Sequence, residues 1–163
     1  EKKINIRNYS RLVEKFQKKL NCKIIFEPGR FIIGNAGTLI SRIVFIKKNG
    51  KKYFIILDAG MNDFMRPALY NATHNIIPVS KSKKRIIGNL EFVGPICEST
   101  DTFLKYRNYS FLKENDFIAI TNVGAYGSSL SSNYNTRPLA SELLIKKGKI
   151  KVIRKRQKIS EII

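Results

Sequence analysis

The sequence predicts an α+β chain, mainly β: one helix and one strand lead into an antiparallel β barrel or sandwich. Three observations carry this. A helical apolar stripe occurs only near the N-terminus; from about Arg42 onward apolar residues fall in runs of strand length; and turn signals, among them Asn49-Gly50 and Gly148, separate those runs.

Residues 9–20 read as a helix, because Leu12, Phe16 and Leu20 recur every fourth residue beside Val13 while Arg, Lys and Gln fill the other face. Ser10 is the expected N-cap and Asn21 lies past the end. Cys22 to Phe26 is a short apolar run of strand type, stopped by the turn Glu27-Pro28-Gly29-Arg30. Helix, strand and turn in that order read as the end of an α/β unit. Residues 31–41 are expected to continue as a short helix despite Gly34 and Gly37. Strands are then expected at 42–48, 53–58, 85–94, 116–122, 140–146 and 149–154, and a helical turn at 158–163.

Length and composition narrow the function. The 163 residues suit one domain or slightly more, and 43% hydrophobic residues suffice for a core. No apolar run reaches the roughly 18 residues of a membrane span, and no apolar stretch follows Glu1-Lys2-Lys3 as a signal peptide requires. The chain does not open with Met and is expected to be part of a longer one. Two cysteines, Cys22 and Cys97, do not make a disulfide framework, so a reducing, cytoplasmic setting is expected. The net charge of +19 first points to nucleic acid. Basic clusters at 81–85, 146–151 and 154–158 lie beside turn signals and lack the aromatic interleaving of a stacking platform. Ile, Lys and Asn, all with A/T-rich codons, make up 59 of the 163 residues, so compositional bias alone can raise Lys, and no specific nucleic-acid partner is expected.

Four polar islands carry the residues capable of chemistry. Glu27-Pro28-Gly29-Arg30 sits at a strand's carboxyl end, where α/β proteins bind ligands, and its Pro-Gly turn frees backbone N–H groups for an anion. In the second island, residues 58–70, Arg66 and Tyr70 share one face of a helical turn and could clamp a carboxylate. His74, the only histidine, is read as a packed or surface residue rather than a catalyst. The third, 94–101, holds Cys97 between strand end and acids; negative neighbours disfavour a thiolate and suit a neutral proton donor, whereas a buried inert Cys is the plainer reading. The fourth, 124–135, places Tyr126 between glycines in a loop suited to ligand contact. No metal-ligand set is assigned.

Taken together and in this order, the islands resemble the diaminopimelate decarboxylase family, which uses pyridoxal phosphate on an alanine-racemase-like fold. The matching text is EPGRFIIGNAG (27–37), MNDFMRPALYNATH (61–74), GPICESTD (94–101) and GAYGSSLSSNYNTRP (124–138). The EPGR string is shared with ornithine and arginine decarboxylases, whereas RPALY points to diaminopimelate. The resemblance implies the last helix and strand of a β/α barrel over 1–38 and a C-terminal β domain over 39–163, since a barrel alone needs roughly 250 residues. None of the 21 lysines sits in a motif resembling the family's Schiff-base Lys, so the chain alone is expected to be inactive.

The resemblance also implies roles. Glu27 would pair with the pyridinium nitrogen, and the backbone of Pro28 and Gly29 would meet the cofactor phosphate. Arg30, Arg66 and Tyr70 would hold substrate carboxylate and polar groups, and Tyr126 would touch cofactor and substrate. Cys97 would donate a proton to the carbanion and Glu98 would bind the distal ammonium, both in the active site of the partner in a homodimer. The implied reaction removes CO2 from meso-diaminopimelate to give L-lysine. The alternatives are a related pyridoxal-phosphate decarboxylase of ornithine, arginine or lysine, and a non-catalytic β domain.

Overall fold

A computed structural model of the chain describes residues 4–80 and 84–163. Lys81 and Lys83 of the first basic cluster therefore lie outside the described residues, as do residues 1–3. Helix α1 spans Ile6–Leu20. It begins before the expected Tyr9 because Asn5, not Ser10, is the N-cap: its side chain accepts from the Asn8 N–H at 3.1 Å. Asn21 ends the helix in the left-handed region, with φ 46°. No residue of α1 is buried, and Leu12, Phe16 and Leu20 stay about half exposed.

The expected strand from Cys22 to Phe26 does not form among the described residues. Apolar content is not enough for a strand; a ladder needs a neighbour for its N–H and C=O groups. This segment has no such neighbour, and Ile25 is 78% exposed. The expected helix after the turn is also shorter than 31–41. Helix α2 covers Arg30–Ile33, a 3₁₀ turn covers Gly34–Ala36, and the chain is extended from Thr38.

The rest is mainly β, as expected. Strands β1 (Thr38–Asn49) and β2 (Lys52–Leu57) form a hairpin around Gly50, whose φ is 57°. Helix α3 (Arg66–Tyr70), β3 (Ile76–Pro78), β4 (Arg85–Val93), β5 (Thr102–Ser110) and β6 (Phe117–Thr121) follow. Six strands make one sheet in the order β3-β6-β1-β2-β4-β5. A separate hairpin pairs β7 (Glu142–Lys146) with β8 (Lys149–Arg154) across Lys147-Gly148, both at positive φ as a tight turn of that handedness needs. All pairings among the described residues are antiparallel except β2 with β4. That parallel pair is reached by a crossover containing α3 and β3.

Alternate residues of the central strands fill the core: Ile55 and Leu57 from β2, Leu90 and Phe92 from β4, Ile118 and Ile120 from β6. Phe64 completes it, and buried His74 meets the Phe64 ring edge-on at 4.6 Å while its Nδ1 lies 3.1 Å from the Thr121 carbonyl. His74 is thus a packing residue. The directions of the strands decide where the polar islands go. β2 runs parallel to β4, and both β2 and β6 run antiparallel to β1. The carboxyl ends of β2, β4 and β6 and the start of β1 therefore share one edge of the sheet.

Candidate active site

Each polar island is attached to that edge. Glu27–Gly37 precedes β1, Asp58–Tyr70 follows β2, Gly94–Asp101 follows β4, and Asn122–Pro138 follows β6. The first and fourth are locked by backbone contact. Val123 N–H donates to the Gly37 carbonyl at 3.1 Å and Gly124 N–H to the Gly34 carbonyl at 3.0 Å. A Cβ on Gly37 would lie 2.4 Å from Gly124 Cα, so only hydrogen fits there.

This contact brings the Pro28-Gly29 turn to Tyr126. Gly29 has φ 39°, and a Cβ on it would lie 2.7 Å from the Tyr126 hydroxyl. Tyr126 itself sits at φ 60°, an uncommon conformation for a bulky side chain. Arg30 Nη2 donates to the Asn122 carbonyl at 3.3 Å, while its Nη1 is buried without a partner among the described residues.

The second island reaches the same place from the other side. Arg66 and Tyr70 lie four apart on α3, with Pro67 in the first turn, where its missing N–H costs nothing. The Arg66 guanidinium carbon is 5.5 Å from the Tyr70 ring centre and 5.8 Å from that of Tyr126. Arg66 Nε is buried and has no partner among the described residues. Two guanidinium groups thus carry buried donor atoms left unmet among the described residues, which is costly unless a ligand accepts from them. The chemistry they fit is an anion: carboxylate or phosphate.

Gly94–Asp101 is a loop held by Asp101, which is 3% exposed. Its carboxylate accepts from Ile96 N–H at 2.8 Å and Met61 N–H at 2.7 Å. Cys97 and Glu98 project from the loop and are exposed, so Cys97 is not the buried inert thiol of the plainer reading. Among the described residues neither makes a hydrogen bond or ion pair to Arg30, Arg66, Tyr70 or Tyr126; the Glu98 carboxylate accepts only from the Ser99 hydroxyl, at 3.2 Å. Glu27 is exposed at the mouth of the first turn.

One site residue escaped sequence reading. Arg137 donates through Nε to Asn62 Oδ1 at 3.1 Å and through Nη2 to the Asp58 carbonyl, and lies 3.8 Å from the Asp63 carboxylate. It ties the fourth island to the second. An Arg before a Pro in a polar loop carries no periodic signal, so nothing local marked it. Burial pushes the Asp63 carboxyl above the usual range, against the Gly60 N–H and Arg137, which pull it down. Burial also raises Asp101, opposed by the N–H groups of Ile96 and Met61.

Known proteins share this arrangement. Diaminopimelate decarboxylase of Helicobacter pylori is 46% identical over 162 residues, covering 99% of this chain and 40% of that protein. The Aquifex aeolicus diaminopimelate decarboxylase is 45% identical over 153 residues, covering 93% of this chain and 36% of its own length. The crystal structure of diaminopimelate decarboxylase from Helicobacter pylori complexed with L-lysine superposes with a TM-score of 0.89 at 45% identity, over 99% of this chain and 40% of that one. The chain thus spans well under half the length of these relatives. The family model of the pyridoxal-dependent decarboxylase C-terminal sheet domain matches residues 12–124, from the middle of α1 to the glycine that backs onto Gly34 and Gly37. A match over most of the chain, joined to the sheet edge where all four islands meet, means that this protein belongs to the family of pyridoxal-dependent decarboxylase C-terminal sheet domains.

Proposed function

We propose that this chain is the C-terminal portion of a diaminopimelate decarboxylase, a pyridoxal-phosphate enzyme that releases CO2 from the D-centre of meso-2,6-diaminopimelate and leaves L-lysine. The observation that carries the reading is the pair of buried donors left unmet among the described residues, Arg30 Nη1 beside the Pro28-Gly29 turn and Arg66 Nε beside Tyr126. They fit a ligand rich in carboxylate and phosphate oxygens. Residues 1–38 would belong to a β/α barrel, a reading supported by the uncovered apolar stripe of α1, and residues 39–163 to the sheet domain. We assign the cytoplasm as the compartment, on the support of two exposed free thiols, Cys22 and Cys97.

The residues present suit the cofactor. Glu27 would pair with the pyridine nitrogen and keep it protonated, and the positive-φ turn at Pro28-Gly29 would present backbone to the phosphate. When bound, pyridoxal phosphate supplies the electron sink for the pair left behind by CO2. Arg30, Arg66 and Tyr70 would grip the carboxylate that is retained, Arg through a planar fork and Tyr through its hydroxyl. Tyr126 would wall the site between the two arginines.

Cys97 Sγ–H would give the proton that replaces CO2, and Glu98 would hold the distal ammonium of the substrate. Their exposure and lack of contact with Arg30, Arg66 or Tyr126 support service to a partner subunit in a homodimer. The test is CO2 release by the full-length protein with pyridoxal phosphate and, separately, diaminopimelate, ornithine, arginine and lysine. We expect diaminopimelate to have by far the largest kcat/KM. A preference for any of the other three would replace this reading with that decarboxylase, and no release from any would leave a binding domain.

A further inference from the structure

We propose that Asp101 is a positioning residue whose single carboxylate braces two functional segments at once, the segment leading to Arg66 and the loop bearing Cys97 and Glu98. The inference rests on the function proposed above. Its basis is geometric. The two carboxylate oxygens accept from different segments, Oδ1 from Met61 N–H at 2.7 Å and Oδ2 from Ile96 N–H at 2.8 Å. Ile96 is the residue before Cys97. Met61 opens the short run to α3, and little slack separates them: Asp63 N–H and Phe64 N–H both donate to the Gly60 carbonyl, and the Phe64 side chain is locked in the core.

The main chain of Asp101 closes the same loop. Its N–H donates to the Glu98 carbonyl at 3.0 Å, and its carbonyl accepts from Gly94 N–H at 2.9 Å. Gly94 is shaped around the carboxylate, since a Cβ there would lie 2.1 Å from Oδ2 and 2.3 Å from Oδ1. Among the described residues no salt bridge reaches Asp101; Arg137 acts on it only through space. A buried carboxylate without an ion pair is a costly choice for simple loop closure. A hydroxyl or an amide could satisfy one N–H, but only a carboxylate offers two acceptor oxygens to two N–H groups pointing from different segments. The brace also joins sites: the Arg66 segment serves its own cofactor while Cys97 serves the partner's, so one carboxylate registers a substrate grip against a proton donor delivered across the dimer.

The experiment uses full-length enzyme with Asp101→Asn, which keeps shape but turns one acceptor into a donor facing an N–H, alone and combined with Cys97→Ala. Amide hydrogen exchange at Met61 and Ile96, pyridoxal-phosphate occupancy by absorbance, and kcat and KM are measured on each. We expect faster exchange at both amides, retained cofactor and a fall in kcat/KM of about tenfold or more. Added to Cys97→Ala, the same change should cost clearly less than it does alone, because the part of the loss that runs through the proton donor is already gone while the parts through Arg66 and Glu98 remain. Losses that multiply in the double variant, or wild-type kcat/KM in Asp101→Asn, would overturn the proposal. Should Asp101→Asn fail to fold, Gly94→Ala displaces the carboxylate without removing it and enters the same cycle. If Cys97→Ala proves fully active, the active-site reading falls instead. The brace then stands on exchange alone, supported by joint loss of protection at the two amides and refuted by its persistence.

Discussion

The Tyr126 hydroxyl occupies the place where a side chain on Gly29 would begin, 2.7 Å from the position of its Cβ. Each residue is held in a left-handed backbone conformation, Gly29 at φ 39° and Tyr126 at φ 60°. The contact fuses two segments almost a hundred residues apart into one wall. It exists because Gly37 and Gly124 let two backbones touch behind it.

Gly29→Ala should therefore be doubly unfavourable, through its backbone conformation and through collision with Tyr126. We expect a loss of about 1–3 kcal/mol in stability, read by chemical denaturation. Tyr126→Phe removes the colliding oxygen and should recover part of that loss when combined with Gly29→Ala. Strictly additive effects of the two substitutions would mean that the hydroxyl does not press on Gly29.

The strands that build the core were legible because β2 and β6, where both neighbours are present, keep unbroken apolar runs at 53–57 and 117–120. The two strands that sequence reading missed, β3 and β5, are the two edges of the sheet. An edge strand has one neighbour and more solvent, so polar residues such as Lys105, Arg107 and Asn108 interrupt its pattern, and Pro78 ends β3. The error at Cys22–Phe26 is the converse: an apolar run without a ladder partner. Of the candidate site, the shared helical turn of Arg66 and Tyr70 was legible from their spacing, whereas their roles came only from the family resemblance. Glu27, Cys97 and Tyr126 drew notice by residue type, but that their islands share one end of the sheet depends on three strands pointing the same way, which no local pattern encodes. Arg137 and the bracing role of Asp101 are contacts of tertiary structure.

Arg66→Lys should damage a full-length enzyme although charge is kept. The guanidinium lies beside the Tyr70 and Tyr126 rings with Nε buried and unmet, and an ammonium reproduces neither the planar fork nor the stacking. We expect about 1–3 kcal/mol of lost transition-state stabilisation, roughly fivefold to a hundredfold in kcat/KM. Arg107→Lys, on the exposed side of β5, should be near neutral. Equal effects at the two positions would remove Arg66 from the substrate grip.

Asp63 makes a prediction about acid. Its carboxyl is raised above the ordinary value of 3.8 chiefly by burial, so in acid the folded protein takes up this proton before the unfolded chain does. The native state then binds more protons than the unfolded state, and this group's contribution to stability grows as pH falls through the raised value, levelling off below 3.8. Asp63→Asn abolishes the titration but keeps an acceptor for the Gly60 N–H. Between pH 7 and pH 4 the wild-type Tm should therefore improve relative to that of the variant. A wild-type Tm that falls faster than the variant's would mean that Arg137, 3.8 Å away, outweighs burial and lowers this carboxyl instead.

The exposed Cys97 loop sets the last prediction. Consider two full-length variants, one lacking the lysine that anchors the cofactor and one carrying Cys97→Ala. Each alone should be nearly dead. If Cys97 serves its partner's cofactor, a mixed dimer contains one site with both groups intact, the lysine from one subunit and the thiol from the other. Random reassortment of equal amounts makes about half the dimers mixed, and each has one good site of two, so activity should return to about a quarter of wild type. If Cys97 serves its own subunit, every site in every dimer lacks one group and nothing returns. The comparison requires that Cys97→Ala folds, and an exposed thiol in a loop braced by Asp101 through Ile96 and Met61 is a position where truncation leaves the scaffold untouched. Mixed dimers shown to form, yet giving no recovery, would return Cys97 to its own subunit and with it the proton it was assigned to deliver across the interface.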